Sequence, residues 1–332
     1  MTMKQLTEKD LKKFGKTFSL SKKAIALVNH QKANWSSATS GYSSLRQVQT
    51  RTFNFGHFRI DCQFNPGRIR SSAANTDATA IQERQCFLCE SNRPPEQSEI
   101  PFGTEYVILC NPFPIFPYHL TIPLHCHEPQ LISGHIESFL HLSRDLQEFV
   151  VFYNGPLCGA SAPDHFHFQA GIRDVLPIED ELKVLLEENS ETLLESPEIK
   201  INAIENFLRR FICFRSTDQE ILEKWIKKAI CVLVKPDGEA EPMVNLLGWF
   251  TNGAWQIVLF PRKAQRPREY FADDFDRILV SPAAVELGGL VILPREEDYY
   301  KITAENLVSI FNQVTIQKDD FDDFKDKLIQ TI

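Results

Sequence analysis

Asn154-Gly155-Pro156-Leu157-Cys158-Gly159-Ala160-Ser161-Ala162-Pro163-Asp164-His165-Phe166-His167-Phe168-Gln169 is the stretch from which the rest of this 332-residue chain is best interpreted. Its first part holds glycines, prolines, a serine and an asparagine, which are typical of a turn-forming loop. In its second part polar and aromatic residues alternate, and alternate side chains of a strand share one face. We therefore predict a small-residue loop and then a strand that presents His165, His167 and Gln169 on one face and phenylalanines to the core.

That row of side chains indicates phosphorus chemistry. A neutral imidazole is a nucleophile near neutral pH and a leaving group once protonated. The N–H groups of a glycine-containing loop and the Ser161 hydroxyl form a cradle suited to phosphate. Gln169 can donate a hydrogen bond to a phosphoryl oxygen but cannot act as an acid, which favours transfer to an acceptor over hydrolysis. The alternative is a buried strand with two structural histidines.

The His-x-His-x-Gln row behind a glycine- and serine-containing loop resembles the galactose-1-phosphate uridylyltransferase branch of the histidine triad superfamily. That branch also contains diadenosine tetraphosphate phosphorylases and GDP-hexose phosphorylases. The resemblance implies that His167 carries the nucleotide covalently and that Gln169 replaces the third histidine of the hydrolase members. It also implies three phosphate contacts, at Asn154, Gly159 and Ser161.

Composition sets the broad class of the protein. The chain is 43% hydrophobic and 24% charged, with a net charge of -8, so nucleic acid is not expected as a main partner. Its first residues are too charged for a signal peptide, and no apolar run approaches the roughly 20 residues that span a bilayer. The eight cysteines are therefore expected to be free thiols or metal ligands. We expect a cytoplasmic protein with no membrane partner.

Residues 1–50 are predicted to form an N-terminal helical arm that serves packing. The apolar alternation that follows predicts a strand pair around Gly56. Arginines and serines next to a Pro-Gly turn could bind phosphate oxygens or could form a solvated turn; these are Arg68, Arg70, Ser71 and Ser72. The resemblance favours Arg68, because the family carries arginines there that reach the nucleotide phosphates.

Cys86-Phe87-Leu88-Cys89 has the spacing of a zinc knuckle, in which two thiolates bind one tetrahedral ion. The resemblance implies that the other ligands are His165 and either His127 or His125. Such a zinc would be structural and would fix the strand that carries His167. The alternative is two buried thiols in a hairpin.

Two apolar runs, at residues 106–110 and 119–123, are predicted to be buried strands. Between them the resemblance points to Asn111 and Phe113 as residues that hold the base and ribose of the nucleotide, a task that suits an amide and an aromatic ring. The spacing of apolar residues from Pro129 to Phe149 predicts one long amphipathic helix, and residues 150–153 a strand that leads into the central loop.

The remainder of the chain is interpreted as a helical insert and a second half. The high charge of residues 181–228 favours solvated helices. Residues 229–332 resemble a degenerate copy of the first half without the histidine row, with a hairpin around Asn252-Gly253. By resemblance Glu286 is the candidate sugar ligand. Arg262 is a candidate for the phosphate acceptor, with a surface salt bridge as the alternative.

The predicted fold is α+β, with a histidine-triad-like antiparallel sheet and helices in an active first half (51–180) and a degenerate second half. The function that the resemblance implies is nucleotidyl transfer from a nucleoside diphosphate sugar through a nucleotidyl-histidine, with phosphate or a sugar phosphate as acceptor. The first alternative is a dinucleoside polyphosphate phosphorylase, and the second is a non-catalytic nucleotide-binding protein. Asp164 and Phe166 depart from the pattern of the uridylyltransferases proper, and the segment VSPAAVELGGLVILP resembles the GDP-hexose phosphorylases. The resemblance therefore favours a phosphorylase. A homodimer is possible, since dimers occur in the family.

Overall fold

The computed structural model describes residues 5–69, 81 and 83–330. Its helices are α1 (Glu8–Leu11), α2 (Leu20–Asn34), α3 (Ser36–Leu45), α4 (Ile136–Asp145), α5 (Pro177–Glu188), α6 (Gln219–Val232), α7 (Arg268–Phe271), α8 (Ala284–Leu287), α9 (Glu296–Lys301), α10 (Ala304–Val314) and α11 (Lys318–Ile329). Its strands are β1 (Gln49–Asn54), β2 (Arg59–Phe64), β3 (Glu99–Phe102), β4 (Tyr106–Cys110), β5 (His119–Pro123), β6 (Phe149–Asn154), β7 (His167–Ile172), β8 (Ser190–Glu195), β9 (Ile199–Ile204), β10 (Phe211–Ser216), β11 (Val244–Thr251), β12 (Ala254–Pro261) and β13 (Leu290–Leu293). Short 3-10 turns lie at Pro66–Arg68, Glu90–Asn92 and Asp274–Asp276.

Within the described residues, ten strands form one antiparallel sheet in the order β3-β4-β5-β7-β6-β11-β12-β10-β9-β8. Its two sets of five strands have the same internal order, because each set places its fifth strand between its third and its fourth. In each set one helix, α4 or α6, connects the third strand to the fourth. The sets meet where β6 pairs with β11. The predicted α+β fold with an antiparallel sheet in two halves is therefore confirmed.

The second half begins earlier than predicted. The expectation of a helical insert over 181–228 is wrong for β8, β9 and β10, which are the first three strands of the second set. β8 is one of the two edge strands of the sheet and exposes Glu191 and Glu195. Charged side chains on an edge strand hinder pairing with other chains. Part of the high charge of residues 181–228, from which solvated helices were predicted, therefore lies on the edge strand β8.

The helix predicted from Pro129 to Phe149 is shorter than expected and spans only α4. The turn before it is held by the second half, since both carboxylate oxygens of Glu241 accept backbone N–H groups, from Ile132 at 2.9 Å and from Ser133 at 2.7 Å. This tertiary contact replaces the helical hydrogen bonds that the apolar spacing predicts.

A second, three-stranded sheet has the order β1-β2-β13. The predicted strand pair around Gly56 is confirmed, because β1 and β2 pair in antiparallel fashion on either side of it. β13 joins β2 in parallel, so the segment VSPAAVELGGLVILP adds its strand to this small sheet and not to the large one.

The hairpin predicted around Asn252-Gly253 is also confirmed. β11 and β12 are joined by these two residues alone, and both have positive φ, 51° and 76°, as a type I′ turn requires. In the first set the equivalent connection between β6 and β7 is residues 155–166, the small-residue loop. The second half therefore lacks both this loop and the histidines.

The large sheet has a hydrophobic core on each face. Phe166 and Phe168 are fully buried in the core that includes α2, α4 and α6, as the alternation predicts. The core on the other face includes α5 and α10. His167 and Gln169 point to this second face, where a cavity opens between β7, the Asn111–Pro114 loop and the segment that contains α8.

Candidate active site

The cavity has a volume of about 570 Å³ and collects most of the predicted site residues. The predicted residues that line it are Arg68, Asn111, Phe113, Asn154, Gly159, Ser161, His167, Gln169 and Glu286. His165 does not line the cavity, although it was expected to share a face with His167. β7 begins only at His167, so His165 belongs to the preceding turn and points to a cysteine cluster.

His167 is held in one orientation by the backbone. Its Nδ1 lies 2.8 Å from the carbonyl oxygen of His165, and because a carbonyl can only accept, Nδ1 carries the proton. Nε2 therefore keeps its lone pair. Burial lowers the pKa of His167 to about 4, so the ring is neutral at physiological pH. The backbone on either side is tied by Gln130, which accepts from His167 N at 2.8 Å and donates to the oxygens of His167 and Asn154.

Gln169 is oriented by His119, a residue that the sequence did not single out. His119 Nδ1 accepts from the N–H of Ile115 at 3.1 Å, so its Nε2 carries the proton and donates to Gln169 Oε1 at 3.1 Å. The amide N–H groups of Gln169 are thus left for the cavity. Burial, with a contribution from the charge of Arg68, lowers the pKa of His119 to about 3 and keeps this ring neutral.

The loop between β6 and β7 depends on a glycine at position 159. Gly159 has φ +95°, and a Cβ there would lie 2.5 Å from Ala283 Cβ. Both the backbone conformation and the close approach of the second half therefore exclude a side chain. Asn154 precedes this loop and Ser161 follows Gly159, and all three residues line the cavity.

Two arginines bring positive charge to a chain that is acidic overall. Arg68 Nη1 donates to Phe113 O at 2.7 Å, while its Nε is buried without a partner among the described residues. Arg84, which the sequence did not single out, pairs through Nη2 with Asp164, and its buried Nη1 has no partner there. Both side chains line the cavity, so its wall carries positive charge of the kind that attracts an anion.

The Asn111–Pro114 loop has an internal brace. Asn111 Oδ1 accepts from Phe113 N at 2.9 Å and its Nδ2 donates to Thr121 Oγ1 at 3.1 Å. The Asn111 amide is thus used to shape the loop, which leaves the Phe113 ring, 37% exposed, as the group that faces the cavity.

The two predicted sugar and acceptor residues lie in different places. Glu286 lines the cavity and accepts from Ala283 N at 2.9 Å, and burial raises the pKa of this carboxyl. Arg262 is not brought to the cavity. It is 7% exposed, with its guanidinium held by Asn245 Oδ1 at 2.6 Å and by backbone carbonyls. Both expectations for Arg262, an acceptor contact and a surface salt bridge, are therefore corrected.

A candidate metal site lies at the turn that precedes β7, next to His167 in the chain. Cys86, Cys89, His127 and His165 each offer one ligand atom, and these atoms lie within 4.8 Å of one another. The sulfur to nitrogen distances are 3.2 to 3.5 Å, close to the edge of about 3.6 Å in a zinc tetrahedron with two Cys and two His ligands. His165 Nε2 donates to Leu124 O at 2.8 Å, which leaves Nδ1 for a metal. Of the two alternatives for the fourth ligand, the structure brings His127 and not His125 to the cluster.

Other cavity residues had no clear signal in the sequence. Trp35 and Ser37 line the cavity, so the N-terminal helices contribute to the site as well as to packing. Arg84 stands two residues before Cys86, and this position next to the knuckle was the one available hint. Arg70, Ser71 and Ser72 lie outside the described residues.

Comparisons with known proteins agree with this fold. Residues 27–172 match the family described as Domain of unknown function (DUF4922), and residues 184–332 match the family described as GDPGP1-like, C-terminal domain. No curated protein matches the sequence. Among the described residues, no helix combines the length and apolar character needed to cross a membrane.

Solved structures of yeast Ap4A phosphorylase Apa2 are similar to the chain. One of them has a TM-score of 0.54 and 15% identity. The alignment covers 86% of this chain and 96% of the yeast chain. The structures in complex with AMP and with Ap4A both have TM-scores of 0.51, with 16% and 14% identity, 82% of this chain covered, and 92% and 93% of their own chains covered. The chain therefore has the fold of these phosphorylase structures, and its second half matches the GDPGP1-like, C-terminal domain, in agreement with the family resemblance seen in the sequence.

Proposed function

We propose that the chain is a nucleotidyltransferase that forms a covalent nucleotidyl-histidine on His167. The observation that carries the proposal is the hydrogen bond from His167 Nδ1 to the carbonyl oxygen of His165, because it leaves Nε2 unprotonated in a cavity lined by polar donors. A nucleophile with a fixed tautomer next to donors for a developing anion is the arrangement that phosphoryl chemistry needs.

The reaction has two displacements. His167 Nε2 forms a bond to the α-phosphorus, and the bond from that phosphorus to the oxygen of the leaving group breaks. The ring then carries a positive charge that the carbonyl of His165 stabilises through Nδ1–H. A phosphate oxygen of the acceptor next attacks the phosphorus, the nitrogen to phosphorus bond breaks, and neutral His167 is restored.

Donors around the phosphates would stabilise the charge in both steps. Gln169, Ser161 and His167 line the cavity together, and the guanidinium groups of Arg68 and Arg84, which also line it, supply positive charge. Because these groups are oriented before the substrate arrives, little reorganisation is needed during reaction.

A nucleoside diphosphate sugar with inorganic phosphate as acceptor is the substrate pair we propose. The match of residues 184–332 to the GDPGP1-like, C-terminal domain and the buried carboxyl of Glu286 in the cavity support it. The second candidate is a dinucleoside polyphosphate phosphorylase, which the fold shared with yeast Ap4A phosphorylase in complex with Ap4A favours.

We further propose that Cys86, Cys89, His127 and His165 hold a structural zinc ion that fixes the turn leading into β7. When bound, the ion would neutralise the two thiolates and anchor the turn. Metal analysis of the purified protein should find about one zinc per chain, and Cys89→Ser should lower that content and the melting temperature. Cys231→Ser, at an exposed cysteine on α6, is the matched control. Full zinc content in Cys89→Ser would remove this ligand assignment.

Covalent labelling tests the proposed function. GDP-glucose, UDP-glucose and diadenosine tetraphosphate, each labelled at the α-phosphorus, are incubated with the protein without acceptor. We expect one of them to leave an acid-labile, base-stable label that added phosphate discharges, and His167→Ala to abolish it. His57→Ala, at an exposed histidine, should label normally. Binding without labelling by any of the three would identify a nucleotide-binding protein and overturn the proposal.

A further inference from the structure

A chain of buried hydrogen bonds runs from the second half of the molecule to the wall of the cavity. Arg262 Nη1 donates to Asn245 Oδ1 at 2.6 Å, and Asn245 Nδ2 donates to Asn154 Oδ1 at 2.8 Å. Arg262 is fixed in turn by the carbonyls of Val314 at 2.9 Å and Ala264 at 2.9 Å. Only Asn154, at the end of this chain, lines the cavity.

The direction of each hydrogen bond follows from groups whose roles are unambiguous. A guanidinium can only donate, so it must face the oxygen of Asn245. Asn245 Nδ2 also donates to the carbonyl oxygen of Cys158 at 2.8 Å, which can only accept. Asn154 Oδ1 therefore accepts a hydrogen bond from Asn245 Nδ2. It also accepts one from the N–H of Ala284 at 2.9 Å. With its oxygen occupied twice, Asn154 turns its Nδ2 hydrogens to the cavity.

We propose that Asn245 is a positioning residue of the site, which with Arg262 fixes the amide of Asn154 so that it donates to a phosphate oxygen of the bound substrate. The inference rests on the proposed function for the identity of that substrate. The inference assigns a role to the second half, which has no histidine row. The second half would determine that Asn154, in the first half, presents its N–H groups to the phosphate. Asn245 is fully buried and reaches no substrate itself.

Reversing the polarity of position 245 tests the inference. In Asn245→Asp the carboxylate can still pair with Arg262, but it cannot donate to Asn154 Oδ1 or to Cys158 O. The Asn154 amide must then either rotate, which places its own N–H groups against the N–H of Ala284, or keep its orientation without the hydrogen bond from position 245. In either case the donor that faces the cavity is no longer held in place. Pyrophosphate is the probe, since its binding does not depend on the nucleobase, and we expect its affinity to fall about 10- to 100-fold.

A double-mutant cycle separates positioning from general destabilisation. Asn154→Ala should lose pyrophosphate affinity, and Asn245→Ala, which introduces no charge and serves if Asn245→Asp does not fold, should lose part of it. If Asn245 acts through Asn154, the double variant should bind about as weakly as Asn154→Ala alone, whereas independent effects would multiply. Asn202→Asp is the matched control, because Asn202 is also a buried asparagine of the second half but donates only to Ser190 and Thr192. Its pyrophosphate affinity should be that of the wild type.

The outcomes for this inference and for the proposed function are distinct. Wild-type affinity in Asn245→Asp, multiplying losses in the cycle, or no pyrophosphate binding by the wild-type chain would each overturn the inference. A wild-type chain that binds pyrophosphate in an Asn245-dependent way but is never nucleotidylated would overturn the proposed function and leave the inference intact.

Discussion

The chemistry of the cavity depends on which atom of each polar side chain faces it. His167 presents a nitrogen lone pair because its other nitrogen is bound to a carbonyl, and Gln169 presents N–H groups because His119 occupies its oxygen. An amide turned the other way would place its oxygen against a phosphate oxygen and repel it. In the proposed reaction, neutral histidines and fixed amides would therefore receive negative charge without reorganising.

His119→Gln should make folding less sensitive to acid. Burial lowers the pKa of His119 to about 3, so below the ordinary value of about 6.5 the unfolded chain binds a proton that the folded chain excludes. This ring thus contributes stability above that value, and the contribution is lost as the pH falls. Between about pH 7.5 and 5 the wild type should lose about 2 kcal/mol more free energy of unfolding than the variant, measured by urea denaturation. Equal losses would contradict a neutral, buried ring.

Arg84→Met should weaken binding of the anionic substrate about 10-fold, because the variant removes a positive charge from the cavity wall. Isothermal titration with pyrophosphate measures the change. Arg144→Met, at a surface arginine on α4, is the control and should bind normally. Unchanged pyrophosphate affinity in Arg84→Met would show that Arg84 does not bind the anion and serves only to pair with Asp164.

At this scale the sequence identifies groups but not their orientation. His167, Gln169 and Asn154 could be chosen because they stand in one short motif. The partners that orient them, His119 and Asn245, come from other strands, and no local pattern distinguishes a positioning asparagine from a buried structural one. Arg262 was misplaced for the same reason, since its burial depends on tertiary contacts.

Among the elements, α3 shapes the cavity through an unusually close contact with the Asn111–Pro114 loop. A Cβ on Gly41 would lie 2.0 Å from the carbonyl oxygen of Pro112. The loop, which carries Phe113 into the cavity, is therefore in direct contact with the backbone of the N-terminal helices.

Gly41→Ala should push α3 away from this loop. Overpacking of this kind costs about 1–3 kcal/mol, so the free energy of unfolding should fall by that amount although alanine favours helices. Nucleotide affinity should fall too, as the Phe113 ring shifts. Thermal unfolding and titration with the labelling substrate measure both effects. Gly134→Ala is the control, because no atom lies within 4 Å of a Cβ there. A higher free energy of unfolding in Gly41→Ala than in the wild type would contradict the close contact between Gly41 and Pro112.

Strands were predictable where one face alternates or where an apolar run is short. β7 shows the first pattern and β4 the second, and both were located within two residues. β8 was not, because an edge strand with exposed glutamates has the composition of a solvated helix. The turn before α4 was missed since Glu241, more than a hundred residues away, supplies its hydrogen bonds.

For the whole molecule, the repeated strand order places a second half without the histidine row in the same sheet as the first half. Its five strands continue the sheet through the β6–β11 pair, and the same hydrophobic core includes Leu120 from the first half and Phe214 from the second. Neither half can lose its partner without exposing this core to water. The site residues thus depend on strands in both halves.

The two halves should consequently unfold as one unit. Cys110 in the first half and Cys213 in the second are buried, and burial raises the pKa of each thiol to about 12, so neither should react while folded. Thiol labelling in increasing urea, with the two peptides quantified by mass spectrometry, should give the same midpoint for both cysteines. Phe214→Ala should lower both midpoints together, since loss of a buried phenylalanine costs about 3–5 kcal/mol. Leu120→Ala is the reciprocal test from the first half. Labelling of Cys213 at a lower midpoint than Cys110 would show that the halves fold independently, and the second half could then not hold Asn154 in place once it had melted.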